Sequence, residues 1–375
     1  MKIFNTLVLL TFLSGPAQGG AVLSLQPLRQ GKTPSFINLQ WDQKALELAS
    51  KRALDYLSQL PPGVAINAGG RSWKPEILID SDREFLKINK ESQTQEEFLA
   101  ALKKKFKLFQ SVGIDGKGRV VFSDYYEPVL KAHFQRDSVY RYPIYRLPAD
   151  KALSSLSREE IDLHHALAGK GLALAWFKDP FDVFDLQVQG SGILEFPDGS
   201  EILAQYAATN GLPYRPIGPI LIRRGVFKKG KISKDALRAY LEQHPQQEGE
   251  ILAQDPRYVF FKLDPFVPGE EPKGTTHEPL VPGASIAVDP AYIPLGALAY
   301  IETTSPKADV KGHFLGRFKR RSFAFCLDTG GAIKGPGRVD MYVGHGAKAQ
   351  TESSNQWNSG KLFILVKKTE DVWHY

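Results

Sequence analysis

Between Leu327 and Gly346 the chain reads Leu-Asp-Thr-Gly-Gly-Ala-Ile-Lys-Gly-Pro-Gly-Arg-Val-Asp-Met-Tyr-Val-Gly-His-Gly, so two carboxylates, Asp328 and Asp340, flank a glycine-rich bend. Glycines at 330, 331, 335 and 337 permit turns and close approaches that a β-carbon forbids, which lets two strands bring both carboxylates to one cleft. Carboxyl groups gathered in a cleft suit general acid and base catalysis. A long hairpin with polar ends would use the same residues and do no chemistry. A third aspartate, Asp289 in Val-Asp-Pro-Ala-Tyr-Ile-Pro, precedes a rigid proline turn, where capping the turn is as good a use for it as catalysis. No His, Cys or carboxylate cluster has metal-ligand spacing and no phosphate-binding glycine loop precedes a helix, so neither a metal nor an organic cofactor is expected. His164 and His165 are adjacent, and on a helix they would point about 100° apart and could not share one ion.

The elements that must hold such a cleft are partly legible. Ala45, Leu46, Ala49, Ala53, Leu54 and Leu57 recur at helical spacing between Asp42 and Leu60, and Pro61-Pro62 stops the pattern. A capping box at Thr94 to Glu97 opens a second helix with Leu99, Leu102, Phe106 and Phe109 on one face and Lys103 to Lys105 in solvent. Shorter helices are predicted from Ser157 to Leu167 and from Ser233 to Gln243. Val120–Phe122, Phe184–Val188, Leu298–Ile301 and Leu362–Val366 read as short strands separated by turn residues, a pattern of β-barrels rather than of a parallel βαβ sheet. Asp264 to Pro282 is the best linker candidate.

Composition bounds the rest. With 375 residues, two domains are expected. Hydrophobic residues at 42% and charged residues at 24% exclude bulk disorder, while 33 Gly and 25 Pro are too few for collagen. Lys2, the apolar run Leu7 to Leu13 and the small residues Ser14 to Gly19 form a secretory signal, expected to be cleaved near residue 20. The single cysteine, Cys326, excludes an internal disulfide, and its place in an apolar β-like run predicts a buried side chain. A net charge of +7 is a mild bias toward a polyanionic matrix, but the basic residues are scattered and no stripe of them interleaved with aromatics marks nucleic-acid binding.

The motifs taken together resemble the membrane-bound lytic murein transglycosylase A family, known for three C-terminal aspartates matched here by Asp289, Asp328 and Asp340. The resemblance also covers Phe122-Ser-Asp-Tyr-Tyr-Glu-Pro128, Tyr142-Pro-Ile-Tyr145, Gln187-Val-Gln-Gly-Ser-Gly192, Tyr206-Ala-Ala-Thr-Asn-Gly211 and Asp255-Pro-Arg-Tyr-Val-Phe-Phe261, and runs from about residue 118 to the C-terminus. It implies a mainly β fold with several helices: a double-psi β-barrel from 21–127 and 270–375, including the three-aspartate segment 284–366, interrupted by an inserted β-rich domain at 128–269, with a glycan groove between them. It also implies that Asp340 is the catalytic acid/base, that Asp328 supports it, and that Gln189, Gly190, Ser191, Tyr125, Tyr126, Ser123, Lys334 and Asp289 serve the groove. Where the family usually has Thr-Gly this chain has Ser123-Asp124, which keeps a hydroxyl and adds a charge.

The implied reaction needs only one carboxyl. Ordinary glycosidases use two, one to protonate the leaving oxygen and one to activate water or attack the sugar. If the C6 hydroxyl of N-acetylmuramic acid attacks its own C1, a single group can be acid first and base second. The expected partner is therefore the glycan strand of peptidoglycan, with a monomer, no nucleic acid, and at most loose association with the cell wall or outer membrane. No cysteine follows the leader, so an exported, periplasmic protein without a lipid anchor is expected. Two readings compete on the same residues, a non-catalytic wall-binding protein and a water-using hydrolase. An aspartic protease fits poorly, because the chain holds one Asp-Thr-Gly and no second Asp-Thr-Gly or Asp-Ser-Gly.

Overall fold

The computed structural model describes residues 24–27, 34, 36–228 and 234–368. The leader at residues 1–20 lies outside them. In chain order the strands are β1 (Leu25–Pro27), β2 (Ile66–Ala68), β3 (Arg71–Trp73), β4 (Phe106–Ser111), β5 (Val120–Glu127), β6 (Val129–Lys131), β7 (Tyr142–Tyr145) and β8 (Ala173–Phe177). There follow β9 (Gly192–Glu195), β10 (Glu201–Thr209), β11 (Val259–Pro265), β12 (Ser285–Ala287), β13 (Leu298–Ala308), β14 (Phe314–Asp328), β15 (Arg338–His345) and β16 (Asn358–Lys367). Because β16 pairs with both β13 and β5, the order β16-β13-β14-β12-β15-β5 closes on itself. The result is a six-stranded barrel with two parallel pairs, β12 with β14 and β15 with β5, as a double-psi barrel requires.

Alternation along the strands divides the core. Ile286, Ala324, Cys326, Met341 and Ile364 belong to one buried cluster, which fills the barrel. Their neighbours Phe323, Phe325, Phe363 and Leu365 belong to another, packed under the helices Gln43–Ser58, Pro75–Glu91 and Gln95–Lys105 through Leu46, Phe85 and Phe98. The first and third of these helices begin where capping residues stand: Asp42 accepts from Ala45 N–H, and Thr94 accepts from Glu97 N–H, while the Glu97 side chain reaches past the cap to accept from Gln93 N–H rather than closing the expected box on Thr94. The 103–105 lysines are exposed. The third helix stops at Lys105, however, so Phe106 and Phe109 sit on β4. There they pack into the two opposite clusters, because strand pairing with β16 claims that stretch.

The chain leaves the barrel after Glu127 and builds a four-stranded sheet in the order β11-β10-β9-β6 before returning through β12. Three expectations change in this part. Phe184–Val188 is not a strand but lies in the helix Pro180–Gln189, which starts at an Asp179 cap accepting from Phe181 N and ends at Gly190 in a left-handed conformation. Start and stop signals outrank a five-residue alternation of apolar and polar residues. The predicted helix from Ser157 is only a wide turn at Glu159–Leu163, ended by His165 at φ 54°. The helix Lys234–Gln243 does form. Finally, 264–282 is not a loose linker. Leu280 and Val281 are buried, Thr276 Oγ1 donates to Leu327 O, and Gln205 bonds Lys273 through both its donor and its acceptor.

Candidate active site

The parallel pairing of β5 with β15 sets Ser123 opposite Asp340, and the Ser123 hydroxyl donates to Asp340 Oδ1 over 2.8 Å. Ser123 is itself held by the Arg338 guanidinium at 2.9 Å. Asp340 is half-buried in the wall of a cleft of about 540 Å³. Burial, helped by the charge of Asp328, raises its pKa to about 6 against the pull of Arg338 and the Ser123 hydrogen bond. This carboxyl can hold a proton in mildly acidic solution and give it up near neutrality.

Asp328, at the end of β14, has a different environment. Oδ2 accepts from the Tyr125 hydroxyl at 2.8 Å, and Oδ1 accepts from both the N–H and the hydroxyl of Thr275 at 2.9 Å. Burial still raises its pKa, opposed by these donors and by Thr329 N–H. A carboxylate with both oxygens engaged is suited to orienting its neighbours rather than to exchanging a proton.

The bend between the two strands is shaped by Asp289. Its Oδ1 accepts from Ala291 N–H within its own turn, and its Oδ2 accepts from Gly335 N–H at 2.7 Å. Gly335 has φ 80°, a left-handed conformation that disfavours any side chain. At Gly337 a β-carbon would come within 2.4 Å of Ile114 N, so glycine is needed for close approach there. Asp289 thus pins the bend and is not among the residues lining the cleft.

Of the other residues named from sequence, Ser123, Tyr125, Gln189, Gly190 and Lys334 line the cleft with the two aspartates. Gln189, the last residue of its helix, accepts from Tyr126 N–H and donates to Asp185. Tyr126 is buried away from the cleft, with its hydroxyl on Asp185 and Lys234. Ser191 is 9% exposed and is not among the residues lining the cleft. Asp124 is 8% exposed, and burial pushes its pKa up to about 8, so the charge expected from this substitution is neutralised by a proton near pH 7. Sequence reasoning missed Trp357, which is 68% exposed on the cleft wall with the Arg338 guanidinium 4.7 Å from its ring. It also missed Thr275 and Arg338. A tryptophan among polar residues, Gln356-Trp357-Asn358, was the available signal.

Fold and site together define a closed β-barrel protein with buried or half-buried carboxyls, among them Asp124, Asp328 and Asp340, on one cleft. Residues 121–262 match the MltA specific insert domain and residues 284–366 the 3D domain, and the Escherichia coli (strain K12) protein named membrane-bound lytic murein transglycosylase A is 39% identical over 259 residues, 68% of each chain. The chain belongs to the membrane-bound lytic murein transglycosylase A family, enzymes of peptidoglycan. The Vibrio cholerae protein of the same name is 34% identical over 255 residues, 68% of this chain and 67% of its own. A crystal structure of the Escherichia coli protein with bound chitohexaose superposes with a TM-score of 0.73 at 29% identity, covering 94% of this chain and 97% of that one.

These relatives correct one expectation. They are named membrane-bound, which overturns the assignment of an unanchored periplasmic protein. That assignment rested on the position of one cysteine, which bears on acylation alone and leaves every other means of holding a protein at a membrane open.

Proposed function

We propose that this enzyme cleaves the β-1,4 bond between N-acetylmuramic acid and N-acetylglucosamine and leaves 1,6-anhydro-N-acetylmuramic acid. Asp340 gives its proton to the glycosidic oxygen as the C1–O bond breaks. The C6 hydroxyl of the same muramic acid then bonds to C1 and returns its proton to the Asp340 carboxylate, so no water is consumed and the acid is regenerated. Intramolecular attack gains from proximity, and acid/base assistance supplies about 10²–10⁴-fold. The observation that carries this reading is the asymmetry of the two aspartates: Asp340 accepts one side-chain hydrogen bond, from Ser123, while Asp328 has both oxygens engaged.

Asp328 contributes negative charge that helps Asp340 keep its proton, and it fixes Tyr125 at the cleft. Gln189, Gly190 and Lys334 face the glycan from the cleft walls, and the open face of Trp357 offers a platform for a sugar ring. The relative crystallised with chitohexaose supports a β-1,4-linked N-acetylhexosamine chain as the occupant. We also place the barrel at 21–127 and 270–375, and the inserted domain at 128–269.

Mass analysis of digested murein tests the reaction. Anhydro ends, each one water lighter than hydrolytic ends, are expected from the wild type. Asp340→Asn should lower their yield by about 10³-fold or more while the folded variant still binds glycan, and Asp328→Asn should lower it less. Reducing ends would instead establish a hydrolase, and a dead Asp328→Asn beside an active Asp340→Asn would reverse the two roles.

A further inference from the structure

A second group of reactive side chains lies where the chain crosses between the barrel and the inserted sheet. Glu127 ends β5 and His345 ends β15, in register with each other, and Glu271 comes in from the returning segment. Their potential ligand atoms all lie within 4.8 Å of one another. Sequence spacing hid the group, because its members stand on three separate segments.

One of the two carboxylates is oriented by a hydroxyl. Tyr342 donates to Glu271. Glu127 is only 1% exposed, and its Oε1 has no hydrogen-bond partner among the described residues. A buried carboxylate oxygen left bare is costly unless a cation or a proton meets it. His345 Nδ1 lies 3.9 Å from Glu271 Oε2, too far for a hydrogen bond, and the ring is partly exposed, which gives an ion a way in from solvent.

We infer that Glu127, Glu271 and His345 bind one divalent transition-metal cation of the Zn²⁺ type. Two carboxylate oxygens and an imidazole nitrogen suit such an ion, whereas Ca²⁺ and Mg²⁺ favour oxygen donors throughout. The two carboxylates also balance the charge of the ion. Its role is mechanical: β5 leaves for the inserted sheet at Glu127, and Glu271 lies on the return path. The bound ion ties these two points to β15, the strand that carries Asp340. It takes no part in bond cleavage, and the inference stands apart from the reaction proposed above.

Titration calorimetry and thermal melting of the full chain, stripped with EDTA and then given ZnCl₂ or CaCl₂, test the site. One equivalent of Zn²⁺ should bind and raise the melting temperature, with Ca²⁺ at least tenfold weaker. Glu127→Gln and His345→Ala should each weaken Zn²⁺ by about tenfold or more, since even indirect partners of a metal cost that much. His313→Ala, which removes an exposed histidine paired with Asp309 outside this group, should leave binding unchanged. His345 is exposed and its loss leaves the core intact, so that variant decides the matter if Glu127→Gln misfolds. No uptake of Zn²⁺, uptake unaltered in His345→Ala, or equal affinity for Ca²⁺ would overturn the site.

Discussion

The acid/base chemistry proposed for Asp340 depends on a hydroxyl contributed from far away in the chain. Ser123 stands 217 residues earlier and donates to its Oδ1, which favours the ionised form, while burial favours the protonated one and prevails at a pKa of about 6. A general acid is active while protonated, so turnover should decline as pH rises through about 6. Ser123→Ala removes a contact that lowers the pKa, and the descending limb of the pH profile should therefore move to higher pH. A rate profile of the two proteins on murein checks this, and an unmoved or acid-shifted limb would mean that the observed titration belongs to another group. Asp124 titrates nearby at about 8 and is the competitor to watch, because it too lines the cleft.

Among the helices that cover the barrel, Pro75–Glu91 carries an unusual burden. Asp82 is 0% exposed within it, and neither carboxylate oxygen has a hydrogen-bond partner among the described residues. Burial holds its pKa well above the usual carboxylate value. The folded protein therefore keeps a proton that the unfolded chain releases, and stability falls as pH rises from the unfolded value near 4 toward the folded one. Asp82→Asn preserves shape and removes this titration. The variant should be more stable than wild type at pH 8, by on the order of 1–3 kcal/mol, with the gap narrowing toward pH 4. Melting at the two pH values checks it, and a variant less stable at pH 8 would show that an ionised Asp82 is compensated in the fold. This helix was not anticipated from sequence: Ile77-Leu78-Ile79 resembles a strand, and charged residues interrupt the apolar stripe that follows.

At the scale of the whole molecule, a net charge of +7 is scattered along the sequence, and the polymer proposed as substrate is anionic. Attraction of this kind is long-ranged and screened by salt. Co-sedimentation of the inactive Asp340→Asn variant with murein should fall steadily as salt rises from low concentration toward 1 M, where the screening length is about 3 Å. Retention independent of salt would assign the affinity to the cleft contacts alone. The packed segment at 264–282 matters at this scale as well, since Thr275 and Glu271 both reach back to the barrel from it. What composition presents as a Pro-rich connector is part of the joint between the two sheets.

The sequence alone determined the elements whose signals are local: the helix capped at Thr94, the strands around Phe325 and Ile364, the burial of Cys326, and a glycine-rich stretch able to present two aspartates. Hydrophobic alternation and capping act over a few residues, so they survive in a linear reading. Tertiary structure decided everything that depends on a donor from elsewhere. Thr275 reaches Asp328 across 53 residues, Ser123 reaches Asp340 across 217, and Glu127, Glu271 and His345 meet only once the barrel has closed. The two aspartates of the bend have the same side chain, and no spacing rule could say which would be engaged at both oxygens and which left free to exchange a proton. That difference comes from burial and from partners in space, which the chain acquires only by folding.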